Sequence, residues 1–319
     1  MPTPDERPVL AEEGAGSRHT RPRSMGGIGE RHPRRRRWVG RVVVLLVLVI
    51  VAVSGYQAYL AVRRSLFSAS CTVTASGTSF TFTPEQTANA ALIAALSVKR
   101  GLPARAATIA LATALQESKL LNLTYGDRDS VGLFQQRPSQ GWGTKAQILD
   151  PAYSTNKFYD ALIKVKDYQT GEITKVAQAV QRSGFPEAYA DHEQQGRVLA
   201  STLTGQSPAG LGCQVEPVAR PANGAAAATG ASIAADLAAQ LDSTATVEGG
   251  QLTVAAPDAV RAWAAAQWAV ARAQAYGIDR VQVAGRTWDR AEDASALTWG
   301  QGGSAGATTV VIRIGTATG

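Results

Sequence analysis

Residues 114–136 read ALQESKLLNLTYGDRDSVGLFQQ, and the chain is organised around them. Glu117 stands near the end of an apolar helical stretch, a polar turn follows, and the small apolar run Gly132-Leu133-Phe134-Gln135 comes after it. This order suits one acid held at the wall of a cleft with a backbone-lined floor facing it. A carboxyl group surrounded by Leu, Ala and Thr loses solvation, which disfavours the charged form and raises its pKa. Kept protonated near neutral pH, such a group can donate a proton to a leaving oxygen, the general-acid step of glycoside cleavage.

The pair Glu117-Ser118 followed by Gly132-Leu133-Phe134-Gln135 resembles the Glu-Ser and Gly-Leu-Met-Gln motifs of lytic transglycosylases and goose-type lysozymes. The segment 150–159, DPAYSTNKFY, is similar to the stretch that follows in those families, where an Asp-Pro turn opens a helix carrying an Asn and an aromatic pair. The resemblance spans roughly residues 84–204, well under half of the chain. It implies a mainly α, lysozyme-like lobe in which Glu117 is the catalytic acid. Ser118 then orients the acid or the substrate, Gly132 and Leu133 supply backbone at the saccharide floor, and Gln135 contacts or supports the sugar. Phe134 replaces the family's Met and keeps an apolar packing position. One departure stands out. The families carry an Ala-Tyr-Asn-Ala-Gly motif whose Tyr lies near the acid, and here Gln181 occupies the Tyr position in AVQRSG, residues 179–184. Tyr189, a few residues on, is the candidate to fill that space, which spacing alone does not show.

The chain has 319 residues, room for about two domains, and its 45% hydrophobic content allows a sizeable core. The formal charge of +7 would suggest nucleic acid, but its distribution argues against that partner. Residues 1–64 carry 12 Lys+Arg against 5 Asp+Glu, whereas residues 65–319 carry 20 of each. The excess therefore marks membrane topology. Residues 1–37, rich in Pro, Gly, Arg and Glu, are expected to be a disordered cytoplasmic tail. Residues 38–62 are expected to be a transmembrane helix, because the 21 residues between Arg41 and Arg63 are uncharged and about 20 apolar residues cross a bilayer. Trp38, Tyr56 and Tyr59 are placed as interfacial anchors, and the arginines Arg34–Arg37 put the N-terminus inside and the rest of the chain outside the cell membrane. A cleaved signal peptide is the competing reading, and Ser68-Ala69-Ser70-Cys71 hints at a lipoprotein site without the expected aliphatic residue.

Residues 65–215 are then the catalytic lobe. Its two ends carry the only cysteines, Cys71 and Cys213, in an exported segment where pairing is the expected state of an even count. Residues 72–82 alternate as a strand or hairpin. Thr83-Pro84-Glu85-Gln86 reads as an N-cap with a capping box, opening a helix that stops at Gly101. Pro103 opens the helix that delivers Glu117, and further helices are expected from Asp150-Pro151, over 173–181 and over 187–203. Residues 216–243, rich in Gly, Ala and Pro, are expected to be a flexible linker, and 244–319 a small α+β domain. In it, strands are expected at 252–254, 281–283 and 309–314, and a helix over 257–276 ended by Gly277. Trp263, Trp268, Trp288 and Trp299 either form a sugar-stacking surface or pack its core.

Other candidate groups carry less. Asp127 and Asp129 flank Arg128, where one of them could position a water as in an inverting hydrolase, but a turn explains them better. Asn122-Leu123-Thr124 is a glycosylation sequon. His192 lacks a partner at ligand spacing, so neither a metal nor another cofactor is expected. The resulting expectation is a membrane-anchored, extracytoplasmic enzyme. It would act on peptidoglycan glycan strands, cutting the bond between N-acetylmuramic acid and N-acetylglucosamine, as a lytic transglycosylase or a muramidase. The proposed site is Glu117 as catalyst with Ser118, Gly132, Leu133, Phe134, Gln135, Gln181 and Tyr189 around the substrate. The alternative is a non-catalytic wall-binding or scaffold protein. No protein partner can be named from the sequence.

Overall fold

The computed structural model describes residues 33–66, 68–184, 187–218 and 229–316. Most of the expected tail, and residues 219–228 of the expected linker, lie outside them. Helix α1 covers Pro33–Leu66 and so begins inside the segment expected to be disordered. Its stretch Arg41–Tyr59 is long and apolar enough to cross a membrane, and none of it is covered by protein. Side chains from Val42 to Tyr59 are exposed all round, a distribution stable only where lipid or protein replaces water. This helix forms a unit separate from residues 67–319.

The larger unit begins with the hairpin β1 (Ser70–Ala75) and β2 (Thr78–Phe82). Strand β3 (Leu211–Gln214) adds antiparallel to β1, giving the order β2-β1-β3. In that register Cys71 lies opposite Cys213, and the two form a disulfide. The pairing also removes Cys71 from any lipoprotein reading. Between these strands come α2 (Pro84–Lys99), α3 (Ala104–Ser118), the short α4 (Lys145–Ile148), α5 (Pro151–Leu162), α6 (Ile173–Gln181) and α7 (Glu193–Leu203). Thr83 caps α2 through the expected box with Gln86, and Asp150 caps α5 by accepting from Ala152 N at 2.8 Å. The helix expected over 187–203 is split: residues 188–192 form a 3-10 turn before α7. Helix α3 runs through the middle of the lobe, with every residue from Ala106 to Leu115 buried. Its small side chains allow α2 and α7 to approach it closely.

The C-terminal part departs from the expectation of a tethered domain. Residues 230–241, placed in the flexible linker by their composition, form α8 (Gly230–Leu241), capped by Thr229 with Ser232. Ile233, Leu237 and Leu241 recur every four residues and are buried, so one apolar stripe anchors an otherwise Ala-rich helix. A six-stranded antiparallel sheet follows, in the order β4-β5-β9-β6-β7-β8. Its strands are β4 (Ala245–Glu248), β5 (Gln251–Ala255), β6 (Ile278–Val283), β7 (Arg286–Asp289), β8 (Gly300–Gln301) and β9 (Thr309–Ile314). Helix α9 (Ala259–Ala271) and the single turn α10 (Ala273–Tyr276) replace the one helix expected over 257–276, and Gly277 ends it at φ +66° as read. All four tryptophans are buried, at 0–7% exposure, so they build the core and offer no sugar-stacking surface.

This sheet and the helical lobe share one core. Gln267 of α9 donates to Thr202 O at 2.6 Å, and Trp299 Nε1 donates to Leu211 O at 2.7 Å. Lys99 Nζ reaches Ala239 O at the end of α8 at 2.8 Å. Gly205 sits at φ +85°, and a Cβ there would run into Val260 O, so only glycine lets α9 come this close.

Candidate functional site

The site is built at the end of a helix that has no room to move. After Ser118 the chain turns through Lys119 and Leu120, both left-handed at φ 54° and 62°. For residues with a Cβ this conformation costs about 1–2 kcal/mol each. Two side chains of α2 hold the turn: Gln86 Nε2 donates to Lys119 O at 2.9 Å and Asn89 Nδ2 to Leu120 O at 2.8 Å. Glu117 is thus the last acid on a buried helix, half-buried at its exit.

Tyr189, fully buried in the 3-10 turn before α7, donates its hydroxyl to Glu117 Oε1 at 2.6 Å. The position eight residues upstream, Gln181 at the end of α6, donates Nε2 to Phe134 O at 2.8 Å. Burial raises the Glu117 pKa above its ordinary 4.5, and hydrogen bonds from Tyr189 and Gln181 offset part of that rise. The carboxyl also sits in the last turn of α3, where the negative end of the helix dipole further disfavours its ionised form. The Tyr189 hydroxyl is pushed up as well, first by burial and then by the neighbouring carboxylate, so it remains a donor.

The floor motif is placed opposite by backbone geometry. Gly132 has φ +81°, and a Cβ there would lie 2.9 Å from Ile148 O. Its N–H donates to Leu123 O at 2.7 Å, and Val131 bridges Gln136, closing a tight loop. Ser118 is buried and donates to Leu133 O at 2.8 Å and Ala114 O at 3.0 Å. It therefore ties helix to floor. Leu133 and Phe134 are fully buried, with Phe134 stacked on Phe158 at 4.6 Å, so their side chains pack the core and offer no contact surface to a sugar. Gln135 folds over its own loop, donating to Gly132 O at 3.2 Å and Tyr125 O at 3.3 Å. Of the residues expected to touch a saccharide, Ser118, Leu133 and Phe134 are supports; Glu117, Gln181 and Tyr189 converge.

Asp129 accepts from Arg137 Nε at 2.7 Å and Ser139 N at 2.8 Å, which hold its carboxyl well below the usual range. That fixes it as a turn residue. Asp127 is exposed beside Arg128. Asn122 spends its amide on Leu149 O at 2.8 Å, so the sequon does not present a free amide. His192 Nδ1 lies 2.9 Å from Gln195 Oε1. The sequence reading passed over Tyr125, which is 71% exposed on the loop that Gln135 braces. It also passed over Trp142, part-buried against the core on the loop after the floor. Neither belongs to a motif, and only an exposed aromatic near the floor could have flagged them.

Comparison with protein-family models gives no match, and comparison with curated protein sequences gives none either.

Proposed function

We propose that this protein is a membrane-anchored, extracytoplasmic peptidoglycan-cleaving enzyme of lysozyme-like fold, with Glu117 as its acid and base. The observation that carries this reading is the 2.6 Å hydrogen bond from Tyr189 to a carboxyl group whose burial raises its pKa. A tyrosine on the acid is what the resemblance to lytic transglycosylases implies, and Tyr189 supplies it from a different position while Gln181 stands in the old one. The uncharged stretch within α1 and the arginines before it support the anchor and its N-in orientation.

In this mechanism protonated Glu117 gives its proton to the glycosidic oxygen as the bond from that oxygen to C1 of N-acetylmuramic acid breaks. The substrate's 2-acetamido oxygen stabilises C1. Ionised Glu117, still accepting from Tyr189, then removes the proton of the 6-hydroxyl, and O6 closes on C1 to give a 1,6-anhydro end. Glu117 finishes protonated, so the cycle balances without water. The engagement of Asp129 by Arg137 and Ser139 disfavours the inverting route, which needs a free second carboxylate.

The test is muropeptide release from isolated sacculi by the full-length protein in detergent, read by mass spectrometry. Anhydro ends lie one water below reducing ends. Release of anhydro products that disappears in Glu117→Gln supports the reading; reducing ends would assign hydrolysis instead. Binding to sacculi without release of either product would favour a wall-binding scaffold.

A further inference from the structure

Helices α5 and α6 both end at a cleft of about 690 Å³ whose lining includes Gln140, Trp142, Lys164, Val165, Gln181 and Arg182. That volume is in the range of small-ligand sites. Gln181 joins the cleft to the floor beside the acid, because it belongs to the lining and its Nε2 donates to Phe134 O at 2.8 Å. Trp142 leans on the core and leaves part of its indole open. Lys164 follows the end of α5, and Arg182 caps α6 in the left-handed conformation at φ 53°.

A cation at a helix C-terminus is favoured by the dipole whatever its function. That explains each residue singly. It does not explain why both line one cleft without a counter-ion. Among the described residues neither Lys164 nor Arg182 forms an ion pair, while seven other pairs form elsewhere in the chain. The cleft lining contains no carboxylate. Two cations that share one concavity with no carboxylate in its lining mark a place where a ligand can bring the anion.

We propose that this cleft is a subsite for a carboxylate-bearing substituent of the glycan, with Lys164 and Arg182 as its cations and Trp142 as the wall for the adjoining sugar ring. The proposal rests on the reading of Glu117 as a glycan-cleaving acid. A guanidinium can take a carboxylate with two parallel hydrogen bonds, and the lysine adds a second charge. Two carboxylates are available in such a polymer, that of the lactyl group and those of an attached peptide.

The experiment uses full-length Glu117→Gln protein in detergent micelles, which retains the cleft without turnover. Calorimetric titration compares three ligands of equal sugar number. These are a neutral N-acetylglucosamine oligomer, a peptide-free strand carrying lactyl carboxylates, and its peptide-bearing counterpart. The acidic ligand should bind roughly tenfold tighter than the neutral one, about 1.4 kcal/mol. The preference should vanish when Lys164→Gln and Arg182→Gln are added, and shrink in about 0.5 M salt. A gain seen already with the lactyl strand assigns that carboxylate; a gain needing the peptide assigns the peptide. Equal affinity for all three ligands, or a preference that survives both substitutions, overturns the subsite. If the wild-type protein releases no muropeptide yet shows the preference, the catalytic reading falls and the subsite stands. Release without preference gives the converse, and the absence of both release and binding removes both.

Discussion

Replacing Tyr189 with Phe separates the chemistry of the site from its packing. The ring is fully buried and stays in place, so no cavity forms and the fold loses one hydrogen bond, about 1 kcal/mol. What changes is the acid. The hydroxyl donates at 2.6 Å to Glu117 Oε1 and favours the ionised carboxylate. A hydrogen bond to a charged group contributes about 1.5–3 kcal/mol, and the partial exposure of Glu117 points to the lower end. Proton donation to the glycosidic oxygen creates the carboxylate, so losing this donor should slow cleavage about tenfold at neutral pH. The pKa should move further up, because the group opposing the effect of burial has gone. The alkaline limb of the kcat/KM profile, where the protonated acid is lost, should therefore move to higher pH. The assay is initial-rate release of muropeptides from sacculi between pH 4 and 9, with thermal unfolding as the control. A Tyr189→Phe variant of normal stability whose alkaline limb stays put, or moves down, would refute the coupling of Tyr189 to the acid.

Glu117→Gln should abolish release and also change stability with pH. The folded protein holds Glu117 above its ordinary 4.5, so this group favours folding below that value and loses the contribution as pH rises through the folded value. The variant should thus gain thermal midpoint over wild type at pH 7–8 and lose that gain at pH 4. The disulfide joins residues 142 apart, for which chain entropy predicts about 5 kcal/mol; guanidinium unfolding with and without reductant should show a loss of that order at most. Gly205→Ala adds a Cβ against Val260 O where φ is +85° and should cost about 1–3 kcal/mol. Because that contact links α9 to the lobe, calorimetry should show the whole of residues 67–319 unfolding in one transition that shifts as a unit, and a separate C-terminal transition would contradict the shared core.

Much of the fold was legible because local chemistry is decisive there. The Thr83–Gln86 box, the Asp150-Pro151 start, the span 173–181 and the glycine stop at Gly277 all appear where residue type alone sets the backbone. The failures have physical causes. The low-complexity stretch is 221–230, and the linker expected over 216–243 runs on from it across residues 230–241, where Ala is frequent but Ile233, Leu237 and Leu241 form a buried stripe. Strand β4 escaped notice because it is an edge strand with mostly exposed side chains. The join between lobe and sheet depends on glycines at Gly205 and Gly212, whose meaning appears only when another backbone lies against them.

The site shows the same division more sharply. The sequence marked Glu117 through its apolar helical setting together with the adjacent Ser118 and the floor motif that follows. It gave Leu133 as backbone at the floor and Phe134 as a packing residue, and both side chains are fully buried in the core. Their carbonyls are held by Ser118 and Gln181, so the motif residues position one another. Tyr189 is the contrary case. Its separation of 72 residues from Glu117 carries no periodicity that a linear reading could use. Helix α6 ends between Gln181 and Tyr189: the chain turns at Arg182, and the following 3-10 segment carries the Tyr189 hydroxyl to the acid. A motif scored by position would count Gln181 as a loss. A hydrogen bond to the acid depends only on where the donor atom arrives, and here a donor arrives at 2.6 Å.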